Sequence, residues 1–188
     1  MHEIHLAWLA GIWDGEGSIG LGKKGETNIT TAIQLQMTCA TTVERVIQIC
    51  TEVIGVTANG YSFVEKQGHH QDSHHVRINR ATDGVLMAEA LLPYAVTKRR
   101  HWELFLEAAR IKVSRRRVMP DGRLARGGIP ASPCTPREFE LYEQLRDLNA
   151  HNRRYKNGLL IPNKQTAYGR KAAVDREIAG GIASTVAT

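Results

Sequence analysis

The chain begins with a uniformly apolar stretch and continues with an alternating one. Residues His5–Asp14 are apolar on nearly every side, which predicts a helix that is buried all round. A short glycine-rich strand, Ser18–Lys24, and a turn follow. From Asn28 to Cys39 apolar and polar residues alternate, which predicts a strand with one face in the core. Its other face carries the hydroxyl and amide side chains of Thr30, Gln34, Gln36 and Thr38.

The middle of the chain predicts a second helix and a hairpin. Apolar residues recur at helical spacing up to Gly55, which can end a helix, and Thr41 with Glu44 has the spacing of a capping box. Two further segments, Tyr61–Lys66 and Ser73–Arg80, predict the hairpin. The second of these strands places three polar side chains on one face: His75, Arg77 and Asn79.

The second half of the chain predicts three more helices. These are Asp83–Leu92, Lys98 to about Val113 with Thr97 as its N-cap, and one that begins at Pro136, where Thr135 and Glu138 have the spacing of a capping box. The order α-β-β-α-β-β-α-α-α predicts an α+β fold, with an αββαββα core, an antiparallel sheet covered by helices on one face, and additional C-terminal helices. Residues 1–155 form the predicted domain, and residues 156–188 a tail that is expected to be partly disordered.

The distribution of charged residues indicates which class of molecule the chain binds. The 188 residues carry a net charge of +6, and between residues 95 and 126 ten Lys or Arg stand against three acids. Such a concentration favours a polyanion, most simply a nucleic acid, although a solvated basic loop has the same composition. The longest apolar run, Leu6–Trp13, is too short to span a membrane, so no membrane partner is expected.

Location follows from two further features. Three scattered cysteines show no disulfide framework, which favours a reducing compartment. No targeting signal is visible at the first residues. The expected location is therefore intracellular: the cytoplasm or nucleoid, or the organelle in which the gene resides.

The end of the first helix contains unusual residues. Gly11 and Gly15 are four residues apart and share one helix face, although each costs about 1 kcal/mol relative to alanine. Small residues at this spacing allow two backbones to approach closely. Two acids, Asp14 and Glu16, follow at the helix end where the dipole disfavours negative charge.

These nine residues, Leu9–Gly17 (LAGIWDGEG), resemble the LAGLIDADG motif of the single-motif homing endonucleases. The segment LLPYAVTKRRHWEL, residues 91–104, is similar to the family's proline-then-lysine segment before a long helix. The resemblance covers about residues 6–111. It implies a curved antiparallel sheet that acts as a DNA-binding saddle. It also implies a homodimer, because one motif is present per chain, with an interface made by Leu9, Gly11, Ile12 and Gly15.

The resemblance implies a sequence-specific endonuclease. It would cut both strands of a long pseudo-palindromic DNA site by metal-dependent phosphodiester hydrolysis. Glu16 would bind Mg²⁺, which Mn²⁺ can replace, and the Gly15 backbone would add to the metal site. Asp14 would fasten the helix end. The implied catalytic residues are Glu16, Lys98 and Cys39, of which Cys39 departs from the polar residue, often glutamine, that the family places there.

DNA contacts are expected from the open face of the sheet and from basic residues outside it. Glutamine suits adenine edges and arginine suits guanine edges in the major groove. The predicted set is Lys24, Thr30, Gln34, Gln36, Thr38, His75, Arg77, Asn79, Arg99, Arg100, Arg115, Arg116 and Arg117. Two alternatives use the same fold: an RNA maturase that binds intron RNA, and a DNA-binding regulator that does not cleave.

Overall fold

A computed structural model describes residues 2–25, 27–63, 72–115 and 133–150, and the backbone alone of 151–156 and 159–160. The chain divides into two compact units, Met1–Arg146 and Asp147–Thr188. The predicted disorder of the tail, 156–188, falls almost entirely outside the described residues. Among the described helices, none is long and apolar enough to cross a membrane.

The first unit contains the predicted α+β core. Its elements are α1 (His2–Glu16), β1 (Gly17–Lys24), β2 (Asn28–Met37), α2 (Ala40–Ile49) with a π-helical turn (Cys50–Ile54), β3 (Asn59–Phe63), β4 (Ser73–Ile78), α3 (Ala81–Leu91), α4 (Arg99–Ser114) and the first residues of α5 (Pro136–Arg154). The second unit contains the end of α5 and a short hairpin of β5 (Tyr155–Lys156) and β6 (Leu159–Leu160).

The four main strands form one antiparallel sheet in the order β1-β2-β4-β3. In β2 the side chains alternate as predicted: Ile29, Ile33 and Leu35 are buried, while Gln34 and Gln36 are exposed. The buried face packs against the helices, whose largest buried side chains are Trp13, Trp102 and Phe105. The α+β fold class is confirmed, with helices on one face of the sheet and the other face open.

Helix α1 departs from the prediction that it is buried all round. Leu9 and Trp13 are fully buried, but Ile4 is 73% and Trp8 39% exposed. The helix lies at the edge of the core, so only one of its faces packs inside the chain. Leu9 was predicted for a dimer interface, but it belongs to the core face of its own chain.

Two of the predicted helix N-caps are not formed, whereas one predicted helix end is confirmed. Helix α2 begins two residues earlier than the capping box requires, with Cys39 in place of Thr41 as its N-cap, and the Thr41 hydroxyl lies 3.2 Å from Cys39 Sγ. Thr97 does not cap α4, because its hydroxyl donates to the Asp14 carbonyl at 3.4 Å. The predicted end at Gly55 is confirmed by its left-handed backbone, φ 78°.

Candidate functional site

Asp14 lies at the end of α1 and is fastened to the start of α4. Its carboxylate accepts hydrogen bonds from the backbone N–H groups of Val96 at 2.7 Å, Thr97 at 3.0 Å and Lys98 at 3.0 Å. These N–H groups precede the first turn of α4, where the helix dipole favours an anion. Asp14 thus joins two helices, in agreement with its predicted role of fastening the helix end.

Lys98 completes this junction from the other side. Its Nζ donates to the carbonyls of Trp13 at 2.8 Å and Gly17 at 2.7 Å, which satisfies acceptors left free where α1 ends. Burial lowers the pKa of Lys98, and the nearby carboxylates of Asp14 and Glu16 oppose that shift. Since an ammonium group has three N–H bonds, one remains for a further acceptor.

The chain must leave α1 through a glycine. A Cβ at Gly17 would overlap the ring of the fully buried Trp13. A larger residue would therefore displace either the ring or the start of β1. Because Gly17 packs directly against Trp13, the residue before it, Glu16, has a defined position between α1 and β1.

Glu16 is exposed, and its carboxylate interacts with Lys98 only through the longer-range attraction between their charges. Neither a hydrogen bond nor an ion pair to its carboxylate is formed among the described residues, in contrast to Asp14 two residues earlier. The carboxylate faces an open groove whose lining comprises Glu16, Gln36, Met37, Thr38, Cys39 and Ser73. The structure thus brings together four residues predicted separately for catalysis or DNA contact: Glu16, Gln36, Thr38 and Cys39.

Cys39 is an exposed thiol directly before α2. Hydroxyl groups of Thr41 and Thr42 lie 3.2 Å from its Sγ, and their hydrogen bonds lower the pKa of Cys39 to about 7. At neutral pH a large fraction is therefore thiolate, which accepts hydrogen bonds but does not donate them. Cys39 can thus replace the acceptor function of a glutamine side chain, but not its donor function.

The open face of the sheet carries most of the predicted DNA contacts in register. Gln34 lies opposite Arg77 on β4, and Gln36 lies opposite His75. Ser18 of β1 and Asn59 of β3 extend the Gln34–Arg77 row on either side. Thr30 is on the same face, but its hydroxyl already donates to the Gly22 carbonyl at 3.1 Å.

Two aromatic residues on this face were missed by the sequence analysis. Tyr61 and Phe63 of β3 pair with His75 and Ser73 of β4, so their rings lie on the open face. The alternation of Tyr61 and Phe63 was a local signal for one shared face. The register that places both rings beside His75 depends on the pairing of two strands, which local alternation does not define.

The predicted basic contacts separate into three groups. Arg99 and Arg100 are exposed at the start of α4, where both lie near Glu103. Arg115 does not fit its predicted role as a DNA contact. Its side chain is 8% exposed and forms a 2.5 Å ion pair with Glu138, so its charge is neutralised inside the protein. Arg116 and Arg117 lie outside the described residues.

The carboxylate of Glu16 fits a magnesium ion whose other ligands are water molecules and substrate phosphate. Within the described residues no group of three or more His, Cys, Asp or Glu side chains is placed to hold a metal. Mg²⁺, however, takes only one or two carboxylates, retains several waters and binds substrate phosphates. An exposed carboxylate that forms no hydrogen bond or ion pair among the described residues is consistent with that preference, and Gly15, the residue before it, is exposed as well.

Comparison with known proteins supports the fold. No protein-family profile and no curated protein matches the chain. Among solved structures, the archaeal intron-encoded homing endonuclease I-Vdi141I complexed with DNA is similar over 87% of this chain and 91% of that one, at 15% identity and a TM-score of 0.55. The homing endonuclease I-CvuI in complex with its target matches 79% and 96% of the two chains at 19% identity and a TM-score of 0.43. The LAGLIDADG meganuclease I-AabMI bound to DNA matches 74% and 56% at 16% identity and a TM-score of 0.45. The chain therefore has a fold like that of the archaeal homing endonuclease.

Proposed function

We propose that the chain is a site-specific, metal-dependent double-strand DNA endonuclease that acts as a homodimer on a long pseudo-palindromic site. The observation that carries the proposal is the different state of two acids at the end of α1. Asp14 is held by three backbone N–H groups, whereas Glu16 forms no hydrogen bond or ion pair among the described residues and lines the groove. Fold likeness to a DNA-bound homing endonuclease supports the same function.

The exposed face of α1 supports the homodimer. Nothing lies within 4 Å of the Cβ positions at Gly11 and Gly15, so a second helix can approach the backbone there. A twofold axis along this face would place two copies of Glu16 close together. The residues that would form the interface are Ile4, Trp8, Gly11, Ile12 and Gly15.

Glu16 and the Gly15 backbone would hold Mg²⁺ or Mn²⁺ together with a DNA phosphate. When bound, the ion would neutralise the phosphate and stabilise the charge that develops during hydrolysis. Lys98 keeps the end of α1 in place and has one N–H left for a phosphate oxygen. Cys39 would accept a hydrogen bond from a water molecule in the groove. No protein nucleophile or covalent intermediate is required.

The open sheet face would read the major groove, which accommodates a two-stranded ribbon. The ten residues of β2 span about 33 Å, close to one turn of B-DNA, so two subunits would cover about 20 base pairs. Gln34 and Gln36 would contact adenine edges and Arg77 a guanine edge. Lys24, together with the exposed arginines of α4, would contact phosphates.

The test begins with selection of a bound duplex from a random DNA pool in Ca²⁺, followed by cleavage assays in Mg²⁺ and Mn²⁺. Wild type should cut both strands of the selected duplex, and EDTA should abolish cutting. Glu16→Gln should bind with similar affinity but cut at least about 10³-fold more slowly, because its amide is a poor metal ligand. The matched control is Glu52→Gln, an exposed acid outside the groove, which should cut normally.

Other outcomes identify the alternatives. Tight and specific duplex binding without cutting in either metal would indicate a regulator. Preferential binding of structured intron RNA would indicate a maturase. Cutting by Glu16→Gln at the wild-type rate would remove Glu16 from the metal site, and a monomer on DNA by analytical ultracentrifugation would exclude the homodimer.

A further inference from the structure

Three rings form a rigid cluster on the open face of the sheet. Tyr61 stacks on His75 with centroids 4.8 Å apart and planes 5° from parallel. Phe63 meets the His75 ring edge-on at 5.1 Å and the Tyr61 ring at 5.6 Å. The Ser73 hydroxyl lies 3.0 Å from His75 Nε2 and restrains that ring. Because the rings restrain one another, little conformational entropy remains to be lost when a ligand binds.

The cluster is exposed although its chemistry favours burial. Tyr61 is 40% and Phe63 62% exposed, on a strand that is exposed along its whole length. Single exposed aromatic residues are common, but rings in mutual contact at a surface indicate a binding partner. The cluster continues into the groove, because Ser73, which lies opposite Phe63, also lines the groove with Glu16.

The surroundings of the cluster favour DNA as the occupant. Among the described strand residues of the open face there is no Asp or Glu, whereas Lys24 and Arg77 contribute positive charge. A face with this charge complements a polyanion. In an intact duplex the base faces are stacked and unavailable to a ring. The apolar group that the major groove does present is the C5-methyl of thymine.

We propose that Tyr61 and Phe63 recognise the C5-methyl group of thymine in each half of the target, at base pairs near the groove that contains Glu16. This inference rests on the proposed function and adds a specificity determinant to it. The neighbouring side chains Gln36 and His75 supply polar contacts, and the two rings supply apolar contact that amide and guanidinium groups cannot. The target should therefore contain thymines whose methyl groups contribute to affinity.

The experiment replaces each thymine of the selected duplex with deoxyuridine, which removes only the methyl group. For wild type, one or two positions in each half-site should bind about fourfold more weakly, the effect expected for one buried methyl group. Substitution at the same position in both half-sites should weaken binding about 16-fold, because the two sites are independent. At these positions 5-bromodeoxyuridine, whose bromine is similar in size to a methyl group, should restore affinity.

Variants assign the effect to the rings. Phe63→Ala and Tyr61→Ala should bind the thymine and deoxyuridine duplexes with equal affinity, whereas Phe63→Leu should retain part of the difference. The matched control is Leu86→Ala, which removes a side chain that is 45% exposed on α3 and should leave the full difference intact. Since the varied side chains are exposed, the fold should tolerate these changes.

Three results would overturn the inference. One is equal binding of every deoxyuridine duplex by wild type, and another is a deoxyuridine effect that persists unchanged in both alanine variants. The third is loss of the dimer in Phe63→Ala, measured by ultracentrifugation, which would assign the cluster to contact between copies. Each of these is compatible with duplex binding by the wild-type protein, whereas failure of wild type to bind any duplex would overturn the proposed function as well.

Discussion

Two junctions between helices contain carboxylates, and they differ in how completely those carboxylates are satisfied. At the α5 junction, formed by Arg115, Thr135 and Glu138, one oxygen of Glu138 pairs with Arg115 at 2.5 Å and the other accepts from the Thr135 N–H at 2.8 Å. Glu138 is 1% exposed. At the α1 junction, formed by Asp14, Glu16 and Lys98, Asp14 is equally well satisfied but Glu16 is not.

The difference separates a structural use of charge from a functional one. A buried carboxylate with all its hydrogen bonds made holds elements together and has no capacity left for a ligand. An exposed carboxylate at a helix C-terminus is disfavoured by the dipole, and in Glu16 this opposes the screened attraction to Lys98, so little net stabilisation of the fold is expected. Effects on stability should therefore be large for Glu138, intermediate for Asp14 and Lys98, and negligible for Glu16.

The largest expected effect comes from the α5 junction. Glu138→Ala removes the ion pair of Arg115, whose side chain is 8% exposed, and should lower the free energy of unfolding by about 3–5 kcal/mol because a buried charge loses its acidic partner. Urea denaturation followed by circular dichroism measures the loss. The control is Glu107→Ala, which removes an ion pair with Arg137 in which both side chains are 45% exposed, and should cost less than about 1 kcal/mol. Equal losses would contradict the structural role of the buried pair.

The next effect compares the two acids of the α1 junction directly. Asp14→Ala deprives three backbone N–H groups of a charged acceptor and should cost about 2–3 kcal/mol. Glu16→Ala should change stability by no more than about 0.5 kcal/mol, and removal of a negative charge from a helix C-terminus can even stabilise. Thermal unfolding of both variants at one pH provides the comparison. A loss in Glu16→Ala as large as that in Asp14→Ala would mean that Glu16 is also structural.

Lys98→Met should give a smaller loss of about 1–2 kcal/mol. The substitution keeps most of the apolar stem but leaves the carbonyls of Trp13 and Gly17 without their donor. Lys24→Met, on the exposed end of β1, is the control and should stay within about 0.5 kcal/mol of wild type. If Lys98→Met were as stable as its control, the two hydrogen bonds would not fasten the end of α1.

Local patterns in the sequence predicted more of the fold than of these junctions. Alternation in β2 and the Thr135–Glu138 capping box each depend on residues a few positions apart, and both are present. The attachment of Asp14 to Lys98 spans 84 residues, and the pairing of Arg115 with Glu138 spans 23. No periodicity encodes such contacts, so Thr97 was assigned a cap that Asp14 provides and Arg115 a phosphate contact.

The same limit applies to burial. An apolar helix such as α1 can be buried by its own chain or by a second copy, and composition alone does not distinguish these cases. Leu9 was therefore grouped with Gly11, Ile12 and Gly15, although it is the only one of the four that is buried. In contrast, the position of Glu16 at the end of α1 could be predicted from the motif, because the end of the helix and the start of β1 depend on local residues.

The smallest expected effect is a difference in the rate of thiol labelling between two cysteines, one near each junction. Cys39 is exposed in the groove, and hydrogen bonds from threonine hydroxyls lower its pKa to about 7. Cys134, at the α5 junction, accepts hydrogen bonds from the Ile29 N–H at 3.1 Å and from Arg115 at 3.3 Å. Iodoacetamide should label Cys39 roughly tenfold faster than Cys134 at neutral pH, because Cys39 is exposed and has a lowered pKa, whereas Cys134 is only partly exposed.

The pH dependence distinguishes this explanation from simple exposure. An acid with a lowered pKa is deprotonated over a wider range, so the labelling rate of Cys39 should rise through about pH 7 and level off before pH 9, where an ordinary thiol is still titrating. Cys50 provides the opposite limit, since burial raises its pKa to about 12 and should prevent labelling of the folded protein. Peptide mass spectrometry measures all three rates in one sample. In Thr42→Val, which removes one hydroxyl donor, the Cys39 midpoint should move upward; an unchanged midpoint would show that the hydroxyl does not stabilise the thiolate.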